Sequence, residues 1–277
     1  MIMQLTPAAE SFGRIIGAGG GIDLLRASVA VGLVAEPALD VEQIVRAIEN
    51  LAIDVRFEIG DVSGADTVIA GLHHALFVKR GFRGNRSHYY DPRNCYVHEV
   101  LTSRTGMPIT LSVLYIVIGR HLGMQVDGIG FPAHFVVRAG ADASHYRYFD
   151  PFNEGQELSR ADLAIYLKQQ GGDPEKQLDL FLAAVTARQI LSRLLTNLKN
   201  CYVNLSDYAR AREIVNLMLV LAPWAIEERR DRGLLSSYIG DVATAHADLS
   251  LYLDLAPNAP DAPRVRDHLR AFRGAKR

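Results

Sequence analysis

Gly106-Met107-Pro108-Ile109-Thr110-Leu111-Ser112 opens a long apolar helix, Pro132-Ala133-His134-Phe135-Val136-Val137 reads as a strand, and Tyr148-Phe149-Asp150-Pro151-Phe152 reads as another. From Ile109 to Leu122 the apolar residues Ile109, Leu111, Val113, Leu114, Ile116, Val117 and Ile118 do not keep to one stripe. A helix apolar nearly all round must be covered on most sides, so this one belongs at the centre of its domain. Pro108 suits its first turn, where a missing N–H is no loss. Strands at about Gln125 to Gly130, His134 to Ala139 and Tyr146 to Phe149 then form an antiparallel sheet against it, with Asp150-Pro151 and Asn153-Glu154-Gly155 as turns. The reading is an α+β domain. His134 and Asp150, on successive strands beside a helix N-terminus, are a pair suited to nucleophilic catalysis, the His taking a proton and the Asp fixing its tautomer.

Toward the N-terminus, helical patterns at about Ile22 to Val34, Val41 to Ile53 and Ala65 to Phe82 are broken by Pro37 with Asp40 and by Gly60 to Gly64. A flexible lead containing Gly17-Ala18-Gly19-Gly20-Gly21 precedes them. It is not read as a phosphate loop, because Ile22 stands where a dinucleotide fingerprint needs its third Gly and no Gly-Lys-Ser/Thr follows. Between the third helix and the central one runs a basic, aromatic stretch from Lys79 to Asn94. Such a mixture can stack on and neutralise a nucleic-acid strand, but the plainer reading is a solvated loop that packs its tyrosines on the domain.

Toward the C-terminus the chain from Asp173 is helical and periodic. Leu221-Ala222-Pro223 recurs as Leu255-Ala256-Pro257, a spacing of 34, and Ala209 with Ala243, Ala211 with Ala245 and Leu219 with Leu253 keep the same interval. Thirty-four residues, with small residues at helix contacts and Pro closing the unit, is the tetratricopeptide signature, and Leu198, Tyr202 and Gly233 fall on its preferred positions. Two units cannot bury a continuous core alone, so they should pack on the first domain or be capped by a last helix, Ala262 to Phe272.

With 277 residues, 49% hydrophobic and 22% charged, the chain has room for two ordinary domains, placed at 1–172 and 173–277. A net charge of -1 gives no whole-chain attraction to nucleic acid or anionic membranes. The first twenty residues lack the pattern of a secretory signal, and the most apolar run, Ile109 to Gly119, is too short to span a membrane. A cytoplasmic location is expected. Cys95 and Cys201 are the two cysteines, 106 residues apart, poor material for a disulfide framework and each a free thiol by default. No metal motif appears: His98-Glu99 has Thr102 where a zincin helix needs His, and the adjacent His73 and His74 point to different sides of a helix. No cofactor is implied.

Gly81-Phe82-Arg83-Gly84-Asn85, Tyr90-Asp91-Pro92-Arg93-Asn94, the Arg104 to Ser112 run, Gly130 to Arg138 and Asp150-Pro151-Phe152-Asn153-Glu154-Gly155 closely resemble the bacterial SirB-type invasion-regulator family. That resemblance implies a transglutaminase-like, papain-like domain followed by tetratricopeptide repeats. Active transglutaminase-like enzymes carry Gly-x-Cys at the start of the central helix. Counting back from Leu122-Gly123, Gly106-Met107-Pro108 falls on that motif, so Pro108 takes the nucleophile's register while His134 and Asp150 match the other two members.

Two functions follow. In the first, the domain is non-catalytic and its old substrate cleft binds a protein or peptide partner, with Tyr89, Tyr90, Arg104 and Phe131 on the cleft rim and the repeats as a second surface. In the second, it is an amide-directed hydrolase or acyl transferase in which Cys95, or the hydroxyl of Thr110 or Ser112, attacks with His134 as base and Asp150 as orienter. Mid-helix hydroxyls of this kind more often bond their own backbone, and His134 with Asp150 equally suits a buried pair that ties two strands together.

Overall fold

The fold is taken from a computed structural model that describes residues 6–17, 21–61, 64–142 and 145–274, with side chains to residue 270. Positions 18–20 of the glycine-rich lead lie outside the described residues. The rest of the lead is not all irregular, since Pro7–Gly17 forms helix α1, which buries Ala9 and Phe12.

Helix α2 (Leu24–Ala30) runs on as a 3-10 turn, α3 spans Val41–Ile59 and α4 spans Ala65–His73. Asp23 and Asp40 cap the first two of these, each accepting a backbone N–H three residues on. The third predicted helix changes character part-way: from His74 to Lys79 it widens to a π-helix. Strands β1 (Arg83–Gly84) and β2 (Thr105–Gly106) pair in parallel and flank a 3-10 turn, Pro92–Cys95, and helix α5 (Val97–Ser103).

Helix α6 (Pro108–His121) begins at Pro108 behind an extended Met107 and buries eleven of its fourteen residues, as its all-round apolar surface requires. Against it lies a sheet of β3 (Gln125–Ile129), β4 (Val136–Gly140), β5 (Tyr146–Asp150) and β6 (Gln156–Leu158). Helices α7 (Arg160–Gln169) and α8 (Pro174–Phe181) follow, and β7 (Ala184–Val185) returns to pair with β3. The sheet order is β6-β5-β4-β3-β7, antiparallel throughout. Neighbouring residues of one strand face opposite layers. Val137 and Phe149 join the main core with α6, whereas Val136 and Tyr148 join a second cluster with Leu163 and Leu167 of α7. The boundary expected at 172/173 therefore falls before the sheet is complete, because β7 lies beyond it.

Five helices finish the chain: α9 (Ala187–Asn204), α10 (Tyr208–Leu221), α11 (Ile226–Tyr238), α12 (Val242–Leu255) and α13 (Ala262–Gly274). Asp207 and Asp241 cap α10 and α12 in the same way, one repeat apart. Gly233 lets α11 sit against Leu249 of α12, since a Cβ there would come within 2.7 Å of the Leu249 side chain. Leu191, Leu194 and Leu198 of α9 and Ile214 and Leu217 of α10 share one core with the first domain, so the repeats are buttressed by the sheet domain as expected. Across this joint Tyr96 and Tyr202 meet hydroxyl to hydroxyl at 2.7 Å.

Candidate functional site

Asp150 ends β5 and caps the 3-10 turn Pro151–Asn153. Its Oδ1 accepts the backbone N–H groups of Phe152 (3.0 Å) and Asn153 (3.3 Å). Its Oδ2 accepts from the side-chain amide of Asn153 (2.6 Å) and from His134 Nε2 (2.7 Å). Four N–H donors thus hold one buried carboxylate, which satisfies a group that would be costly to bury alone. The sequence Asp-Pro-Phe-Asn folds this way locally: Pro151 fixes the first turn position and the Asp side chain takes up the N–H groups that the turn leaves open.

His134 lies two residues before β4 rather than on it. The bend that delivers it has Ala133 in the left-handed region at φ 56°. With Nε2–H directed at Asp150, the neutral ring keeps Nδ1 as an acceptor, the tautomer a general base requires. Around the imidazole stand Tyr166 (ring centroids 5.3 Å apart) and Phe152 (6.2 Å, edge to face). Burial, and then the charge of Asp150, push the Tyr166 phenol above its ordinary range. His134 and Asp150 line a cavity of about 200 Å³, with Phe131, Asn153, Gln156 and Tyr166 among its other walls.

The structure puts the expected nucleophiles elsewhere. Cys95 is completely buried and its thiol lies 3.2 Å from the Met107 sulfur. Its hydrogen bond with Cys201 and its burial raise the thiol well above the usual range, which disfavours the thiolate that attack requires. It makes no hydrogen bond to His134, so the placement argues against it as the attacking group. The two cysteines, distant in sequence, are brought together as free buried thiols where the Pro92–Cys95 turn packs on α9. The hydroxyls of Thr110 and Ser112 are buried and bond no group among the described residues, the backbone included, contrary to expectation. Nor is any group of three or more His, Cys, Asp or Glu disposed to hold a metal ion among the described residues.

The model of the Transglutaminase-like superfamily matches residues 42–196, and a Tetratricopeptide repeat model matches residues 198–270. The chain belongs to the transglutaminase-like superfamily. A UPF0162 protein of Xylella fastidiosa (strain 9a5c) is 35% identical to it over 236 residues, 84% of each chain. Protein SirB1 of Salmonella typhimurium is 23% identical over 222 residues, 79% of this chain and 81% of that one. F-box only protein 21 of Mus musculus is 32% identical over 138 residues, 47% of this chain and 21% of that protein. No solved structure matches. Within the superfamily this is a SirB-type protein, a transglutaminase-like domain joined to tetratricopeptide repeats.

For this SirB-type protein the expected cleft rim needs correction. Phe131 lines the His134 cavity but as a wall, 1% exposed and packed on Tyr166 and Phe181. Tyr89 is half-buried against Phe152, Tyr90 is exposed, and Arg104 lies over the Phe82 ring; none of the three lines that cavity. Sequence reasoning missed Asn153, read only as part of a turn, and Arg86, read as part of a solvated loop. Arg86 donates to the Asn153 side-chain oxygen, so the chain of polar contacts runs Arg86, Asn153, Asp150, His134. Tyr166 and Gln156 carried no local signal, because what brings them here is the pairing of β6 with β5 and the packing of α7 on the sheet.

Proposed function

We propose that this SirB-type protein is a non-catalytic, regulatory transglutaminase-like module that binds a protein or peptide partner, part of it in the cavity at His134 and part along the helical repeats. The observation that carries the reading is Pro108. It is the first residue of α6, in the register where transglutaminase-like enzymes have cysteine, and its ring offers no atom that could attack an acyl carbon. The His134–Asp150 pair has a structural reason to persist without chemistry, since it completes a buried, four-donor network at the end of β5. Hydrolysis or acyl transfer through Cys95 has less support, given a thiol sealed against Met107 and Cys201. Two free thiols accord with a reducing compartment, and we place the protein in the cytoplasm.

Selection of a displayed random-peptide library on the whole protein tests this. Selected peptides should bind at least about 10-fold more weakly to Tyr166→Ala, which opens the cavity wall while leaving the Asp150 network intact. Peptides indifferent to that change would refute cleft binding. A cleaved peptide or a covalent adduct, read by intact mass, would refute the non-catalytic reading.

A further inference from the structure

A second cavity, of about 410 Å³, lies on the other side of Phe152 and Asn153 from His134. Its walls are polar: Arg83, Arg86, Ser87 and Thr105 on one side and Asn153 with Glu154 on the other. The basic residues of this stretch divide into two groups. Lys79 and Arg80 both pair with Glu58, and Arg93 pairs with Asp91. Among the described residues Arg83, by contrast, makes one long contact, to the Gly81 carbonyl, and Arg86 bonds only the neutral amide of Asn153 while its guanidinium stands 5.6 Å from the Phe152 ring. Arg104, whose backbone carbonyl accepts the N–H of Arg83, keeps its guanidinium over the Phe82 ring and does not line this cavity. Two guanidinium groups without a carboxylate partner among the described residues, those of Arg83 and Arg86, therefore line one polar hollow.

We propose that this hollow takes a carboxylate of an acidic peptide segment whose neighbouring residues enter the cavity at His134. The assignment rests on the peptide-binding reading above and names the chemistry of the ligand. Arginine forks match a planar carboxylate, and Asn153, which walls both cavities, fixes the distance between the acidic residue and whatever meets the imidazole. Glu154 decides between anions. Its exposed carboxylate on the same rim leaves the two lining arginines an excess of one positive charge, which a single carboxylate neutralises, whereas a phosphate dianion would overcompensate it and costs more to desolvate. A carboxylate is favoured over a phosphate for that reason.

The displayed-peptide selection provides the test. Peptides taken on the wild-type protein should be enriched for Asp or Glu at one position, and that enrichment should vanish on Arg86→Gln and on Arg83→Gln, both exposed sites whose change leaves the core untouched. A synthetic peptide carrying the acidic residue should bind about 10-fold more weakly to Arg86→Gln, partly recover with Arg86→Lys, and bind more tightly to Glu154→Gln. Peptides that depend on Tyr166 but show no acidic preference would overturn this assignment and leave the cleft reading standing. Acidic peptides that depend on Arg86 but not on Tyr166 would support the anion site and refute the cleft reading. Tighter binding when phosphoserine replaces the acidic residue would overturn the choice of a carboxylate.

Discussion

Asn153 and His134 donate to the same oxygen of Asp150, at 2.6 and 2.7 Å, the first from within the turn that Asp150 itself caps and the second from the bend before β4. One carboxylate therefore sets both the loop and the ring. Replacing Asp150 by Asn keeps the shape but puts an amide NH₂ where two donors point, leaving a buried donor unpaired. The expected loss is roughly 3 kcal/mol. His134→Ala removes one donor of four and should lose about 1 kcal/mol. Urea unfolding with an unchanged m-value measures both. Equal losses for the two variants would mean that the His–Asp contact, not the turn, is what the network supports.

Much of this was legible from the residues. The all-round apolar run after Pro108 foretold a buried central helix, and the strands after it followed from alternation, so His134 and Asp150 could be matched as a pair. What escaped was set by distance along the chain. Strand β7 is two residues long and exists because it pairs with β3, and Arg86 reaches Asn153 across 67 residues. Cys95 and Cys201 meet only because α9 docks on the first domain. Helix α1 was hidden by the glycine run beside it, and the π-helical segment has no composition of its own. It follows α4 where His73 and Phe77 pack under the Asp150 turn, close enough that a Cβ on Gly155 would lie 2.4 Å from Phe77.

Pro108→Cys checks the register on which the functional reading depends. A thiol at the first position of α6 stands at a helix N-terminus, which favours the thiolate. If the position faces the imidazole, iodoacetamide should modify it faster than Cys95 or Cys201 in the same protein, and His134→Ala should slow that reaction at least about 10-fold. Peptide mapping separates the three thiols. A rate like that of any exposed thiol, indifferent to His134, would show that Pro108 does not occupy the nucleophile's place.

His73 predicts an acid limb in the stability profile. Burial, helped by the nearby Arg147 charge, lowers its imidazole to about 4 from the ordinary 6.5, and its Nε2 shares a 2.9 Å hydrogen bond with the Tyr115 hydroxyl. The unfolded chain thus takes up the proton first. The stability contributed is fully present above about pH 6.5 and drains away as the pH falls to about 4, by roughly 3 kcal/mol over the whole interval. In His73→Gln the decline between those pH values should flatten by that amount in urea titrations. An unchanged slope would assign the acid limb to other groups.

The joint between the two parts of the molecule can be read from Tyr96 and Tyr202. Their hydroxyls meet at 2.7 Å inside the core, and burial raises both phenols above the ordinary range, so neither ionises at neutral pH. Each hydroxyl is the other's hydrogen-bond partner. Tyr96→Phe or Tyr202→Phe alone strands a buried hydroxyl and should destabilise by about 1–3 kcal/mol, while the double variant, with nothing left unpaired, should lose no more than either single. A cycle with that positive coupling would show the repeats and the sheet domain unfolding as one cooperative unit, since two separately melting parts could not register a bond between them. Additive losses, or two resolved transitions in which only the repeat transition moves, would mean that the hydroxyls do not hold the joint and that the repeats are free to swing from the His134 cavity.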